Sequence, residues 1–255
     1  MSRSDGHLHL TILASATSSD ATEESTDDRF MELDLIVARN VVATIHDGPL
    51  PAIDDYVERL EGDSHIGALS AADLMSSIVD EVIGGYFTVI ERIERSIDEL
   101  DTVALRGGRD DRVLSSIVAV RRRIARLRRV VAPHRDTLAA LARPEQRSET
   151  DIGEPWPGLV DRLERAVDSI EALRDALIGT FDISMGRATQ RTDSVITTLT
   201  LLSAVLLPAT LLAGVMGMNF SLPLFDDPGN FFLVVVAMVA MAAAILATAR
   251  WRRWI

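Results

Sequence analysis

Residues 194–225, which decide the fold, read SVITTLTLLSAVLLPATLLAGVMGMNFSLPLF and carry no charge. Asp226 and Asp227 follow, and residues 228–249 are again uncharged. Each uncharged stretch is longer than the roughly 20 residues that a helix needs to cross a hydrocarbon core about 30 Å thick. The sequence therefore predicts a membrane protein with two spans. The predicted segments are transmembrane helices at 195–217 and 230–249 and an outer loop at 218–229.

Arginine residues flank the two predicted spans on the sides away from the loop. Arg187 and Arg191 precede the first span, and the tail 250–255 (RWRRWI) follows the second. Basic residues and interfacial tryptophans favour the cytoplasmic side of a membrane. We therefore predict that both termini are cytoplasmic and that the protein lies in the inner (plasma) membrane. The alternative is a buried helical hairpin in a soluble core, but soluble helices rarely stay apolar on all sides for so long.

The composition excludes several classes of protein. The 255 residues carry 38 acidic and 26 basic side chains, all of the latter arginine, for a net charge of −12. An apolar fraction of 47% argues against disorder, and the negative charge argues against a nucleic-acid partner. The absence of cysteine excludes disulfides, thiolate zinc sites and cysteine nucleophiles. Since no Gly-rich phosphate loop, HExxH or GxSxG motif occurs, we do not expect an enzyme.

The rest of the chain predicts a few strands followed by long helices. Residues 8–14 and 31–46 are β-branched and partly alternating, which is typical of strands. Apolar residues then recur every three or four positions over 71–105, 111–142 and 159–217, which predicts helices. The last helix is about 90 Å long at 1.5 Å per residue, so it includes a stalk that leads into the first span. The segments before the spans are an α/β domain at 1–70, a helical hairpin at 71–158 and a stalk helix at 159–194.

Charges are sorted between the two helices of the predicted hairpin. Acidic residues crowd positions 91–101, and six arginines lie within 121–129. One interpretation is a nucleic-acid patch on the arginine run. The other, which we favour, is that the two helices pair antiparallel and their charges meet, because no aromatic residues are interleaved for base stacking.

The end of the first span carries the tripeptide Gly217-Met218-Asn219, with Pro208 nine residues before Gly217. Glycine allows a backbone to change direction, and asparagine offers a carbonyl oxygen without charge. This tripeptide, followed by a short loop, a second span and a basic tail, resembles the CorA family of divalent-cation channels. The segment TIHDGPLP at 44–51 also resembles that family's strand-to-helix junction.

The resemblance implies a homopentamer in a lipid bilayer, with one pore lined by the stalk-and-span helix of each subunit. It implies that Asn219 is the selectivity residue of the outer entrance, with Gly217 and Met218 shaping it. The transported ion would be Mg²⁺, with Co²⁺ and Ni²⁺ as further candidates. A ring of neutral amides can hydrogen-bond the water shell of Mg²⁺, which dehydrates reluctantly, without stripping it.

By position, the resemblance also implies further pore residues. Thr210 matches a pore-lining hydroxyl, Ile196 and Leu199 match an apolar gate, and Asp193 stands where the family often has a pore-facing asparagine. For Thr210 the alternative is a hydrogen bond to its own helix, and for the apolar residues it is ordinary packing within the span. A further acidic pair, Asp226 and Asp227, would either concentrate cations at the outer mouth or form a solvated turn.

The chain also departs from the family pattern. The N-terminal α/β domain is shorter than usual, so the resemblance implies a truncated form. The family's regulatory divalent site often uses an aspartate near the start of the stalk, where this chain has Gly158. Asp161, one turn later, is the substitute candidate, and Mg²⁺ would then also be a regulator. The predicted fold class is a mainly α membrane protein with a truncated α/β cytoplasmic domain.

Two other functions compete with magnesium transport. The first is a zinc-transporting relative. Such relatives often vary the middle residue of the tripeptide, so Met218 favours Mg²⁺ over this alternative. The second is a membrane-anchored coiled-coil scaffold or signalling protein. Such proteins usually sense with a domain between their spans, and the predicted outer loop is too short to hold one.

Overall fold

The protein is mainly helical with one small sheet, as the sequence predicts. The computed structural model describes residues 2–4, 7–17, 28–61, 70–106, 110–142, 156–218 and 228–252. The strands are β1 (Ser2–Ser4), β2 (His7–Ser15), β3 (Phe30–Ala38) and β4 (Val41–His46). The helices are α1 (Pro51–Glu61), α2 (Ala71–Arg106), α3 (Asp110–Leu141), α4 (Trp156–Met216) and α5 (Pro228–Trp251). By compactness the chain forms two units, residues 1–184 and 185–255.

The sheet is antiparallel, in the order β1-β2-β3-β4. Strand β2 alternates between buried and more exposed positions from His7 to Ala14, which directs one apolar side of the sheet into the core. The region 31–46 is not one strand but two, because Ala38 pairs with Val41 across a two-residue turn of Arg39 and Asn40. Asparagine is common in such turns, but the β-branched run on both sides hides the turn in the sequence.

The core of the N-terminal unit lies between the sheet and the helices. Leu10 and Leu35 pair across β2 and β3 and are fully buried. The face of α2 that carries Met75, Val82 and Tyr86 is buried in the same cluster. Helix α4 joins this cluster through a heptad-like seam of apolar residues, but Phe181, which continues the same period in the sequence, is 40% exposed. The buried seam residues are Leu159, Leu163, Ala166, Ile170, Leu173 and Leu177.

Local chemistry fixes where two of the helices begin. Gly48 has a φ of 140°, which an L side chain rarely adopts, and Pro51 then opens α1 at the position where its missing N–H costs nothing. At the start of α2, the Asp73 N–H donates to Ser70 Oγ at 3.1 Å, and the Ser70 N–H donates to Asp73 Oδ2 at 3.2 Å. This reciprocal cap satisfies two donors that the first turn would leave unpaired.

The long helices match the predicted ones closely. Helix α3 continues through Pro133, and α4 continues through Pro208 as a single helix of 61 residues. The stalk and the first span are therefore one continuous element, as predicted. The bend that Pro133 predicts near residue 130 stays a prediction.

Candidate functional site

The candidate site lies on the C-terminal unit, whose apolar side chains are mostly exposed. Two helices of the described chain are long and apolar enough to cross a membrane, α4 and the stretch Phe232–Trp251 of α5. Leu207 and Leu211 on α4 are 70% and 68% exposed. Within the described part of residues 185–252, only Ala249 is buried. One copy of the chain therefore leaves nearly all of this apolar surface uncovered.

Helix α4 tightens and ends at the tripeptide. The Gly217 N–H donates to Ala213 O at 2.9 Å, four residues back, whereas the Met218 N–H donates to Val215 O at 3.2 Å, three residues back. A Cβ at Gly217 would lie 3.3 Å from Ala213 O, so glycine relieves crowding in this last turn. The Met218 side chain is exposed. Asn219, Asp226 and Asp227 lie outside the residues that the structure describes.

The Thr210 hydroxyl is already used as a donor. It donates to Leu206 O at 2.8 Å, which is the bond within its own helix that the sequence left open as an alternative. The side chain is nevertheless exposed, and its oxygen keeps lone pairs that can accept hydrogen bonds. The structure therefore presents Thr210 to its surroundings as an acceptor.

The other predicted pore residues of α4 are exposed as well. Ile196 and Leu199 are 56% and 61% exposed, and Asp193 is also exposed. At about 100° of rotation per residue, Ile196, Leu199 and Thr210 fall within about 60° of one another around the helix axis. The structure therefore brings these three residues to one face of α4, with Asp193 at the edge of that face.

Arg162, which follows the regulatory candidate Asp161, connects the start of the stalk to α2. Arg162 pairs with Asp80 of α2, and its guanidinium lies 5.9 Å from the centre of the Phe87 ring. Asp161 is exposed. No group of three or more His, Asp or Glu side chains within the described ranges could hold a metal ion. Among the residues that the structure describes, Asp161 therefore has no ready set of partner ligands.

Three arginines of α3 form ion pairs with residues outside the acidic end of α2. Arg128 lies 3.4 Å from Glu171, and Arg135 lies 2.9 Å from Glu164, both on α4. Arg123 Nε donates to Asp28 Oδ2 at 2.9 Å in a largely buried pair. These ion pairs join α3 to α4 and to Asp28, two residues before β3, whereas the sequence suggested pairing with the acidic end of α2.

A buried polar network in the N-terminal unit was missed from the sequence. Tyr86 Oη donates to Leu13 O at 2.5 Å and lies 3.0 Å from His134 Nδ1. The Leu13 N–H donates to His134 Nε2 at 3.2 Å. Because Nε2 accepts, the ring is neutral with its proton on Nδ1, and burial lowers the pKa of His134 to about 4. A polar residue on the buried stripe of an amphipathic helix is the signal that could have found it.

A groove on the C-terminal unit was also missed. It lies between α4 and α5 and has a volume of about 410 Å³. Its walls include Ala204 and Leu201 of α4 and Met241 and Ala244 of α5, and Arg252 lies at one end. The small residues in both helices are the sequence signal for such a groove.

Comparisons with known proteins find similarity over nearly the whole chain. The family model described as CorA-like Mg²⁺ transporter protein matches residues 4–250. The cobalt/magnesium transport protein CorA of Thermotoga maritima is 24% identical over 227 residues, which cover 88% of this chain and 64% of that protein. The zinc transport protein ZntB of Photorhabdus laumondii is 24% identical over 252 residues, covering 90% of this chain and 71% of its own length.

A solved structure supports the fold. The CorA magnesium transporter of Methanocaldococcus jannaschii superimposes with a TM-score of 0.76 at 22% identity. The match covers 97% of this chain and 77% of that one. The likeness therefore extends over both compact units rather than over one of them.

Proposed function

The chain belongs to the CorA-like Mg²⁺ transporter family, and from that premise we propose that it carries divalent cations across a membrane through a pore built by several copies. The observation that carries the proposal is the exposure of α4. Ile196, Leu199 and Thr210 share one exposed face of a helix that is long enough to span a bilayer. Two helices cannot enclose an aqueous path, so this face needs the same face of other copies.

The proposed assembly is a homopentamer in the inner membrane. Five α4 helices surround the pore, and α5 lies outside them against lipid. Arg250 and Arg252 end α5 on the side that the positive-inside rule assigns to the cytoplasm, so both termini are cytoplasmic in this arrangement. The mass of the purified complex, measured by native mass spectrometry, tests this step: five copies support it, and a monomer contradicts it.

Selection takes place at the outer end of α4 in this proposal. The tightened turn at Gly217 and Met218 ends the helix, and Asn219 follows it directly. Five amide oxygens would accept hydrogen bonds from the waters of a hydrated Mg²⁺, whereas a carboxylate ring would bind the ion too tightly for release. Asp226 and Asp227 raise the local cation concentration at this mouth.

The pore below the entrance combines one polar and one apolar zone. Thr210 offers an oxygen whose proton is committed to Leu206 O, so it accepts from the hydrated ion. Ile196 and Leu199 form an apolar constriction that closes by losing its water, and Asp193 attracts cations at the inner end. A membrane potential of 100 mV contributes about 2.3 kcal/mol per charge, and thus about twice that for a divalent ion.

Regulation by cytoplasmic Mg²⁺ would use Asp161. Its side chain is exposed, while the neighbouring Arg162 is held by Asp80 and keeps this part of α4 fixed on α2. A divalent ion bound there would need further oxygen ligands from an adjacent subunit.

The decisive experiment measures Mg²⁺ entry into liposomes that contain the purified full chain. Wild type is compared with Asn219→Ala and with Asn40→Ala, a matched control in the β3–β4 turn. We expect entry to fall at least about tenfold in Asn219→Ala, because every subunit loses a hydrogen bond of about 1 kcal/mol and about 1.4 kcal/mol already corresponds to a factor of ten, and to be unchanged in Asn40→Ala. Equal entry in all three proteins would remove Asn219 from the selectivity role.

The same liposomes separate the competing functions. Replacing Mg²⁺ by Zn²⁺, Co²⁺ or Ni²⁺ tests the zinc-transporting alternative, which a relative named as a zinc transport protein keeps open. Faster Zn²⁺ than Mg²⁺ entry would favour that alternative. No flux of any of these ions in wild type would favour the membrane-anchored scaffold.

A further inference from the structure

The groove between α4 and α5 is an unassigned feature of the C-terminal unit. It is lined by Thr200, Leu201 and Ala204 on α4, and on α5 by residues from Met241 to Arg252. Its volume of about 410 Å³ lies in the range of small-ligand sites. Arg252, which follows α5 directly, lines the groove at the end of that helix that is cytoplasmic in the orientation proposed above.

The walls of the groove are effectively apolar despite two hydroxyl groups. Thr200 Oγ1 donates to Ile196 O at 2.8 Å, and Thr248 Oγ1 donates to Ala244 O at 2.7 Å. Both hydroxyl protons are therefore used inside the helices. Arg252 is the one charged residue among the lining residues that the structure describes, and its side chain is exposed. The groove thus combines an apolar trough with a single cationic end.

The length of the trough matches one leaflet of a bilayer. From Met241 to Arg252 the helix rises eleven residues, about 16 Å at 1.5 Å per residue. Half of a hydrocarbon core about 30 Å thick is about 15 Å. A hydrocarbon chain lying along α5 from the Arg252 end would therefore reach the level of Met241 at about the middle of the bilayer.

We propose that this groove binds one anionic phospholipid of the cytoplasmic leaflet, with an acyl chain along Leu201, Ala204 and Ala244 and its phosphate at Arg252. Charge complementarity selects the occupant, because the cytoplasmic leaflet is anionic and basic pockets between transmembrane helices bind anionic headgroups. The inference rests on the membrane orientation of the proposed function but not on the identity of the transported ion.

The test is native mass spectrometry of the full chain released from micelles containing phosphatidylglycerol and phosphatidylcholine with identical acyl chains. We expect wild type to retain phosphatidylglycerol over phosphatidylcholine. Arg252→Gln should lower that retention about fivefold, the factor expected for one basic residue at an anionic surface. The matched control Arg250→Gln, outside the groove lining, should keep it. Ala244→Phe fills the trough and should displace both lipids.

Each outcome decides the proposal. Equal losses in Arg252→Gln and Arg250→Gln would mean diffuse surface attraction and would overturn it. Retention of phosphatidylglycerol by Ala244→Phe would also overturn it, because the chain would then lie elsewhere. If Ala244→Phe changes the number of subunits but not the bound lipid, the groove is covered by another copy. The liposome flux of Asn219→Ala is a separate measurement, so failure of lipid binding and failure of ion transport are distinguishable.

Discussion

The two compact units contain equally apolar side chains but place them in opposite surroundings. In the N-terminal unit, Leu10 and Leu33 are fully buried, whereas Leu207 and Leu211 of the C-terminal unit are about 70% exposed. The first unit builds a buried core within one chain, although Val41 and Ile45 of β4 stay exposed. The second can do so only with lipid or with other copies, since a bilayer is the solvent in which an all-apolar helix is stable.

This difference predicts where mutations act. A change in the N-terminal unit should alter the free energy of unfolding of a single chain. A change on the exposed face of α4 should leave that free energy nearly unchanged and should act on transport or assembly.

The predictions below test this difference between the two units, and every measurement of the free energy of unfolding uses the same probe. The probe is the fluorescence of Trp156, which is fully buried in the N-terminal unit, in a full-length Trp251→Phe, Trp254→Phe background under urea.

The largest effect is expected from Arg123→Ala. Asp28 is 3% exposed at its side chain, and removing its guanidinium partner leaves a buried carboxylate unpaired. Such a change costs about 3–5 kcal/mol of the free energy of unfolding. The matched control on the same helix is Arg128→Ala, whose pair with Glu171 is more than half exposed and should contribute about 0–1 kcal/mol. Equal costs for the two variants would contradict the burial of the Asp28 pair.

The next effect is expected from Leu127→Ala. Leu127 is fully buried on α3, so truncation leaves a cavity and should cost about 2–5 kcal/mol. The comparison variant is Leu211→Ala on α4, where no cavity forms inside one chain and the cost should stay within about 0.5 kcal/mol. A large loss of the free energy of unfolding in Leu211→Ala, measured through Trp156 fluorescence, would contradict the proposal that mutations in the two units act on different properties.

A third effect depends on pH through the Tyr86–His134 network. Burial lowers the pKa of His134 to about 4 from the ordinary value of 6.5. The lower pKa in the folded state means that folding favours the neutral ring. The contribution of His134 to the free energy of unfolding is therefore complete above pH 6.5 and is lost as the pH falls from 6.5 towards 4. The free energy of unfolding should fall by about 1.4 kcal/mol per pH unit between pH 6.5 and 4, or by about 3 kcal/mol in total.

His134→Asn tests the assignment of that slope. The variant lacks a group that titrates in the window, so its free energy of unfolding should fall less steeply between pH 6.5 and 4 than that of wild type. Its lower stability at neutral pH does not affect the comparison, because the slope is measured. Equal slopes would place the titration on another residue.

The sequence predicts elements that follow from the local spacing of apolar residues. It does not predict contacts between residues that are far apart in the chain. Apolar repeats are local, so the bounds of the long helices are predicted to within about three residues, whereas the point within α4 at which the first span begins stays a prediction. The partner of Arg123 lies 95 residues away and in no strand or helix, so no spacing rule points to Asp28. The turn at Arg39 and Asn40 is hidden because neither glycine nor proline marks it.

The candidate site also has a part that follows from the local sequence pattern and a part that does not. The shared face of Ile196, Leu199 and Thr210 follows from helical period alone. The role of Asn219 rests on the resemblance, and that of Asp226 and Asp227 rests on their charge, because all three lie outside the residues that the structure describes. Helical geometry cannot supply the neighbouring subunits that these roles require, so oligomer mass and ion flux must test them.

The smallest effect on stability, and the sharpest test of the division, is expected from Thr210→Val. Its hydroxyl donates to Leu206 O inside α4, so replacing it by a methyl of similar volume should change the Trp156 stability by less than about 0.5 kcal/mol. If the oxygen also accepts from a hydrated ion, Mg²⁺ entry into liposomes should fall about two- to tenfold, the range for one lost hydrogen bond. Thr210→Ser keeps the oxygen and should restore entry. Unchanged flux in Thr210→Val, alongside a loss in Asn219→Ala, would leave Thr210 only its bond to the helix and would confine ion contact to the outer entrance.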